Sequence, residues 1–306
     1  MAAPLSDPRT ALARRFKLFV QYSGLAQPIH ASFRLLEIWL KRVGTHNVRS
    51  DMQTSSSLAE SSRNPGTAPL RYAVLGDIHA NLEALSAVWQ DAQGHGCTQY
   101  ACVGDVVGYN ANPRECIEHL RATGIPCVKG NHDEYSSTDA AIDNLSPRAA
   151  ATLAWTRKQL SEADKQWLRG LSYVRTLGGF SIVHATLDAP ERWGYVWERF
   201  GAAASFSYQR TAACFFGHTH VPFRFVSDGQ VHGGVYSKFT IEPGRRYFVN
   251  VGSVGDPRDG DPRAAYVIYD PVAGSIELRR VPYDAELTEA KVRAAGLPAR
   301  RHHPIS

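Results

Sequence analysis

Cysteines and long apolar runs are both scarce in this sequence. The 306 residues include five cysteines, an odd number without a C-x-x-C pair, which favours reduced thiols in a cytosol-like compartment. No apolar run approaches the roughly 18 residues that a membrane-spanning helix needs. A hydrophobic content of 43% still allows a sizeable core. We therefore predict a soluble, cytoplasmic protein with no membrane partner.

Acidic residues are also few at one end of the chain. Residues 1–50 contain eight lysines and arginines but only two acids, Asp7 and Glu37, so this segment carries +6. The formal net charge is +5, so the remaining residues together carry −1. The basic character belongs to the N-terminal segment and indicates no specific nucleic-acid partner for the main body.

The first part of the chain lacks the regular pattern of the rest. We predict that residues 1–51 are a poorly ordered basic extension and that residues 52–69, which include QTSSSLAESSRNPGTAP, are a flexible linker. Met52 is the second of only two methionines, so an over-called start is one interpretation of the extension. A cleaved targeting segment is the other interpretation.

A regular alternation of strands and helices begins at Leu70. Buried strands are predicted at LRYAVLGD, QYACVGD and IPCVKGNHD, with helices over residues 81–93 and 113–123. Two serine-led patterns, at residues 146–147 and 161–164, predict the starts of two further helices.

Strands dominate the sequence after residue 172. Six are predicted, at FSIVHA, ACFFGH, PFRFV, RYFVNVG, AAYVIYD and SIELRRV. The whole order predicts an α/β layered catalytic domain over residues 70–283. Residues 284–306 are predicted to form a C-terminal helix and a loose tail.

Polar side chains follow five of the predicted strands, where each apolar run ends. They are Asp77 and His79 in GDIH, Asp105 in GD, Asn131, His132 and Asp133 in GNHD, His184 in VHA, and His218 and His220 in GHTH. Open α/β sheets collect ligand sites at this edge. Carboxylates and imidazoles without thiolates suit first-row divalent ions, and the set is too large for one ion. Each motif alone has an ordinary structural explanation, but their order favours a two-metal site.

The order D-x-H, GD, GNHD, a lone histidine and GHTH resembles the calcineurin-like metallophosphoesterase superfamily. GDVVGYNANPRECI and NVGSVGDPRDGDPRAAYVIYD resemble a bacterial branch labelled YfcE-like or Ap4A-hydrolase/protein-phosphatase-like. The resemblance covers residues 70–283. It implies an α/β (α+β) fold, namely a four-layer αββα sandwich of two mixed β-sheets flanked by helices, with the metal site at its edge.

The resemblance also implies a role for each residue. Asp77, His79 and His220 would bind the first divalent ion, Asn131, His184 and His218 the second, and Asp105 would bridge both. A hydroxide bridging the ions would attack phosphorus, and His132 would lie beside the leaving group and protonate it. Mn²⁺ is the first choice of metal, with Fe, Zn, Ni and Co as alternatives. Asp133 is interpreted either as a partner that orients an imidazole or as an acid at a helix N-terminus.

The sequence departs from the family's phosphatases at Gly108-Tyr109, where those proteins have Asp-Arg. The missing arginine clamps a phosphomonoester, so its loss favours a phosphodiester, which carries less charge. Arg258 and Arg192 are candidate replacements, although a solvated loop arginine is the simpler interpretation of each. The four aromatic residues of ERWGYVWERF, residues 191–200, either wall the pocket and stack a nucleobase or pack against the sheet.

We therefore predict a dimetal phosphoesterase that acts on a small phosphate ester or nucleotide, with a phosphodiester preferred. A phosphomonoesterase or nucleotide pyrophosphatase with the same metals is the second hypothesis. The third is a non-catalytic scaffold of the same fold, which the complete set of ligand positions disfavours.

Overall fold

The computed structural model describes residues 70–299. The predicted extension, the predicted linker and residues 300–306 of the tail lie outside the described residues. Eleven strands lie within them. They are β1 (Tyr72–Leu75), β2 (Gln99–Cys102), β3 (Val174–Leu177), β4 (Phe180–Val183), β5 (Ala213–Phe216), β6 (Phe223–Ser227), β7 (Val231–Gly234), β8 (Lys238–Thr240), β9 (Arg246–Asn250), β10 (Ala264–Asp270) and β11 (Ser275–Val281).

Seven α-helices accompany these strands in the same range. They are α1 (Leu82–Gly94), α2 (Pro113–Thr123), α3 (Asn131–Ser137), α4 (Pro147–Gln159), α5 (Glu162–Arg169), α6 (Arg199–Tyr208) and α7 (Ala285–Ala294). A short 3₁₀ turn lies at Pro190–Arg192. None of the helices between residues 70 and 299 has the length and apolar character needed to cross a membrane.

The strands form two mixed sheets. One has five strands in the order β2-β1-β10-β11-β8, in which β1 and β2 are parallel and the other pairs antiparallel. The other has six strands in the order β3-β4-β5-β9-β6-β7, in which β4, β5 and β9 are parallel. Six of the predicted polar residues follow the carboxyl ends of parallel strands from both sheets, namely Asp77, His79, Asp105, His184, His218 and His220. Asn131, His132 and Asp133 instead lie in the first turn of α3.

A first apolar cluster joins the two sheets. Val74 and Val267 of the five-stranded sheet pack with Phe215 and Val249 of the six-stranded sheet, and all four are fully buried. Because successive side chains of a strand point to opposite faces, the neighbours of these residues face away from this layer.

Two outer clusters cover the remaining faces. The fully buried Leu75 on the other face of β1 packs in one cluster with Leu85 of α1. Cys214 and Phe216, on the other face of β5, pack in a separate cluster with Phe206 of α6. The layers therefore run helices, sheet, sheet, helix, which confirms the predicted αββα sandwich of two mixed sheets.

The helix caps predicted from the sequence are formed. The Ser146 hydroxyl accepts the N–H of Ala149 at 3.3 Å at the start of α4, with Pro147 in the first turn. At the start of α5, the Ser161 hydroxyl accepts the N–H of Asp164 at 3.2 Å, and the Asp164 carboxylate accepts the N–H of Ser161 in return. These bonds satisfy amide groups that have no partner within a helix.

The predicted third strand, IPCVKGNHD, is reduced to a short extended run beside β2, where the N–H of Val128 donates to the carbonyl of Cys102 at 3.0 Å. Cys127 and Val128 make only single bridges to neighbouring segments, and helix α3 begins at Asn131. The extended run stops because the Asp133 carboxylate accepts the N–H of Gly130 at 2.9 Å, which starts the helix there.

The sequence pattern gave no signal for β3, β7 and β8, and all three are edge strands. Their side chains are exposed or partly exposed. An edge strand with no fully buried face does not need alternating apolar residues, which explains the missing signal.

Phe215 provides a test of the packing between the sheets. Its ring centroid lies 5.6 Å from that of Phe180 and 5.4 Å from that of Tyr269. Phe215→Ala should lower the free energy of unfolding by about 3–5 kcal/mol, because it leaves a cavity in the central layer. Guanidinium denaturation followed by circular dichroism measures this change.

Phe200 offers the matched control, because its side chain is 71% exposed. Phe200→Ala should change the free energy of unfolding by no more than about 0.5 kcal/mol. If Phe215→Ala does not fold, the smaller change Phe215→Leu is measured instead. Similar small losses at both positions would contradict the packing described here.

Candidate metal centre

The backbone at the strand ends adopts an uncommon conformation. Eight non-glycine residues between positions 70 and 299 have a positive φ, and all lie in or beside the predicted site. They are Asp77, His79, Ala80, Asp105, Tyr109, Trp193, His218 and His220. Such conformations are disfavoured for residues with a Cβ and tend to cluster at functional sites. The chain therefore turns sharply at five of the predicted ligands.

Two glycines allow the loops of the two sheets to meet. A Cβ on Gly217 would lie 2.3 Å from a carboxylate oxygen of Asp77, and a Cβ on Gly130 would lie 2.1 Å from one of Asp105. Both distances are far below van der Waals contact. The glycine that precedes the polar residue in GHTH and in GNHD is therefore required by this close approach.

The first candidate group consists of two carboxylates and two imidazoles, all buried. It contains Asp77, His79, Asp105 and His220, with one ligand atom from each within 4.8 Å of the others. His79 Nε2 lies 3.5 Å from Asp105 Oδ2, and His220 Nε2 lies 3.3 Å from Asp77 Oδ1. The structure thus brings together the residues predicted to hold the first ion.

The second candidate group shares Asp105 with the first. It adds His184 and His218, again with all ligand atoms within 4.8 Å. His184 Nε2 lies 3.4 Å from Asp105 Oδ2 and 3.1 Å from the side-chain oxygen of Asn131. The two groups therefore lie side by side around one carboxylate, which is the arrangement predicted for a bridging ligand.

Each imidazole of the two groups has one ring nitrogen within hydrogen-bond distance of a backbone carbonyl oxygen. We call this nitrogen the outer nitrogen of the ring and the other one the inner nitrogen. The pairs are His79 Nδ1 with Val107 at 3.1 Å, His184 Nδ1 with Val103 at 2.9 Å, His218 Nε2 with Trp193 at 2.9 Å, and His220 Nδ1 with Asp256 at 2.6 Å. A carbonyl oxygen can only accept, so each outer nitrogen carries the hydrogen. A neutral ring then presents a lone pair at its inner nitrogen.

These inner nitrogens face one another within each group. His79 Nε2 lies 3.0 Å from His220 Nε2, and His184 Nε2 lies 3.1 Å from His218 Nδ1. Two lone pairs at such distances repel unless a proton or a cation lies near both. The donor set therefore fits divalent metal ions, with the outer carbonyls orienting the ligands as in known metal sites.

The acid–base properties of the cluster also indicate that it requires positive charge. Burial lowers the pKa of His79 and of His218 well below the ordinary value, which favours neutral rings. Burial alone would also lower the pKa of His184, but the neighbouring Asp105 carboxylate raises it to about 9. His184 therefore keeps a proton beside the Asp105 carboxylate, and a metal ion bound there would replace that proton, because a ligating imidazole is neutral.

His132 lies beside the two groups without belonging to either. Its backbone N–H donates to Asp105 Oδ1 at 2.8 Å, and its ring centroid lies 4.7 Å from that of His79. Its Nδ1 is buried and has no hydrogen-bond partner in the part of the chain that the structure describes. A Cβ on Gly108 would lie 2.3 Å from this nitrogen. Burial lowers the pKa of His132 to about 4.

Asp133 does not orient an imidazole, so that interpretation is wrong. Its carboxylate accepts the N–H groups of Gly130, Asp105 and Val106, each at 2.9 Å. It is the acid at the start of α3, as the alternative interpretation held, and it also ties the loop after β2 to this helix. Asp133 thereby fixes the position of the shared Asp105.

Three charged residues lie beside the site. The surroundings of Arg258 differ from the expected ones, and no sequence signal indicated that Arg148 and Asp256 would lie here. Arg258 was interpreted as a solvated loop arginine, but its Nη2 donates to the Tyr109 hydroxyl at 3.1 Å. Arg148 and Asp256 pair with each other through two nitrogens at 3.2 Å. Nothing in the local sequence of Arg148 indicates this, because it lies on a helix 108 positions from its partner.

The aromatic segment after His184 borders the site. The half-exposed Tyr195 ring stacks on His218, with 4.1 Å between centroids and 22° between planes. The carbonyl of Trp193 holds the outer nitrogen of the same imidazole. The segment therefore walls the metal groups. Arg192 is exposed, as expected for a solvated loop arginine.

Comparisons with known proteins cover the part of the chain that carries this site. The family model described as the calcineurin-like phosphoesterase superfamily domain matches residues 70–273. The protein named "Uncharacterized protein MJ0912" of Methanocaldococcus jannaschii is 35% identical over 232 residues, which cover 74% of this chain and 93% of that protein.

Solved structures agree with this match. A metallophosphoesterase from Sphaerobacter thermophilus is 37% identical, with a TM-score of 0.67 and coverage of 75% of this chain and 95% of the other. Protein PH1004 from Pyrococcus horikoshii OT3 is 20% identical and shows a similar fold, with a TM-score of 0.62 and coverage of 75% and 94%. The family predicted from the strand-end motifs is confirmed: this chain belongs to the calcineurin-like phosphoesterase superfamily.

Proposed function

We propose that this chain is a phosphohydrolase that cleaves a phosphate ester at a site for two divalent ions. The observation that carries the proposal is the pair of ligand groups around Asp105, whose inner imidazole nitrogens face each other at 3.0 and 3.1 Å. The family match supports the same reaction class. The substrate class is a small phosphate ester or a nucleotide.

The proposed ligands follow the two groups. Asp77, His79 and His220 would hold the first ion, Asn131, His184 and His218 would hold the second, and Asp105 would serve both. When bound, two such ions supply Lewis acidity and lower the pKa of a bound water. The outer carbonyls keep the rings in place, and the burial of the groups excludes competing water. Mn²⁺ remains the proposed metal, because oxygen and imidazole donors suit it.

We assign proton transfer to Nε2 of His132. Its Nδ1 packs against Gly108, so Nε2 is the nitrogen able to meet a substrate oxygen. Burial keeps the free ring neutral at pH 7, since its pKa is about 4. A phosphate anion next to the ring would favour the protonated form, which can then donate to the leaving oxygen.

A phosphodiester is the proposed substrate, because the uncharged phenol of Tyr109 packs against His132 with 4.5 Å between ring centroids. The second candidate is a phosphomonoester or the terminal phosphate of a nucleotide. It is favoured by Arg258, whose guanidinium reaches the same phenol.

The five cysteines are free thiols, which supports the proposed cytoplasmic location.

Asp105→Asn tests the two-metal proposal. In the full chain, it should lower the content of bound Mn²⁺ and reduce hydrolysis of bis-p-nitrophenyl phosphate by roughly 100-fold or more, since one oxygen pair serves both ions. Metal content is measured by plasma mass spectrometry, and hydrolysis after metal removal and Mn²⁺ addition.

Asp143→Asn is the matched control, because Asp143 is an exposed carboxylate in a loop. It should retain both metal content and rate. Two bound metals without turnover of mono- or diesters in the unaltered protein would instead support the scaffold hypothesis.

His132→Asn separates proton transfer from metal binding. The variant should keep two ions per chain but lose roughly 10²–10⁴-fold in kcat, as expected for removal of a general acid. The loss should be larger for an alkyl ester, whose leaving group needs a proton, than for a nitrophenyl ester. His232→Asn is the control, because the His232 side chain is 61% exposed. Equal losses for both leaving groups would rule out proton donation by His132.

A further inference from the structure

Three side chains, Tyr109, Arg148 and Arg258, meet at the border of the metal groups next to His132. The Tyr109 ring centroid lies 4.5 Å from that of His132 and 4.6 Å from that of His79. The guanidinium carbon of Arg148 lies 4.3 Å from the centre of the Tyr109 ring. Arg258 Nη2 donates to the Tyr109 hydroxyl at 3.1 Å. Both guanidinium groups therefore contact Tyr109, whose ring packs against His132 beside the proposed reaction site.

Asp256 is the carboxylate that both arginines share. Arg148 contacts its Oδ1 through both terminal nitrogens at 3.2 Å. Arg258 contacts only Oδ2, through Nε and Nη2, each at 3.3 Å. Asp256 carries one negative charge and forms ion pairs with both guanidinium groups. These three side chains together therefore carry a net charge of +1.

Arg258 is the arginine with capacity to bind another anion. Its Nη1 has no hydrogen-bond partner among residues 70–299, and its side chain is 29% exposed. Its backbone N–H donates to the carbonyl of His220 at 3.2 Å, which fixes it to the GHTH loop. Arg148, by comparison, has both terminal nitrogens on Asp256, and its Nε, which has no partner among the described residues, is buried and cannot reach a ligand. Within residues 70–299, Arg258 thus presents a guanidinium nitrogen without a hydrogen-bond partner from a fixed position.

We propose that Arg258 binds a non-bridging oxygen of the substrate phosphate and thereby determines how well phosphomonoesters compete with phosphodiesters. This inference rests on the proposed phosphoesterase function. A monoester near neutral pH carries up to two negative charges and a diester carries one, so the remaining positive charge favours the monoester more. An arginine fork also matches the spacing of phosphate oxygens.

Tyr109 acts as a positioning residue in this arrangement. Its hydroxyl accepts from Arg258, and its ring separates the guanidinium from His132. Tyr109→Phe keeps the ring but removes the acceptor, so it should change the mono- to diester ratio in the same direction as loss of Arg258, by a smaller factor.

The test compares Arg258→Gln with the unaltered full chain, both loaded with Mn²⁺. We expect kcat/KM for p-nitrophenyl phosphate to fall about tenfold or more relative to kcat/KM for bis-p-nitrophenyl phosphate, since a charged hydrogen bond is lost. Arg258→Lys keeps the positive charge but loses the paired N–H donors of the guanidinium group, so it should give an intermediate ratio. Arg293→Gln is the matched control at an arginine of α7 whose side chain is 67% exposed, and it should leave the ratio unchanged. Equal losses for both esters, or no loss, would overturn the proposal.

A binding measurement makes the result independent of turnover. Isothermal titration calorimetry of the Mn²⁺-loaded proteins should show weaker binding of inorganic phosphate to Arg258→Gln, by about tenfold, and little change for dimethyl phosphate. Melting curves confirm that the variant is folded. If the unaltered protein hydrolyses neither ester, the proposed function fails, while the phosphate titration still decides the role of Arg258. Unchanged phosphate affinity in Arg258→Gln would refute it.

Discussion

Burial of two carboxylates and four imidazoles in one small volume is the constraint on which the rest of the site depends. Asp77 and Asp105 are inaccessible to solvent, or nearly so, and an uncompensated buried carboxylate is costly. The carbonyls around the cluster accept the hydrogens of the outer ring nitrogens, so a neutral ring offers a lone pair at its inner nitrogen. A proton or a cation near such nitrogens relieves their repulsion, and the imidazoles and carboxylates together suit a divalent ion.

The fold provides this cluster by joining loops from both sheets. The His184 ring reaches the carbonyl of Val103 across the interface, and the backbone N–H of His218 donates to Asp77. Asp133 holds the loop that carries Asp105. Each contact links a strand end of one sheet to another segment, so the large apolar layer between the sheets supports conformations that would be unfavourable in isolation.

The border of the site next to His132 is formed by other elements of the fold. Its charges come from α4 and from the loop after β9, and both are tied together by the buried Asp256. Most residues of the metal groups therefore lie at strand ends, whereas the border next to His132 is formed by a helix and a loop. Differences in substrate between relatives can arise at such a border without disturbing the ligands.

The sequence by itself determined the strands with a buried face, the two serine caps and the polar residues at the strand ends. These features are local, because periodicity and capping depend on neighbours within a few residues. The tertiary structure alone decided the short edge strands, the loop contacts of Asp133 and the arginine pair beside Tyr109. Arg258 and Tyr109 are 149 positions apart, and Arg148 and Asp256 are 108 apart. No local pattern records such contacts, since they exist only once the two sheets have packed and brought their loops together.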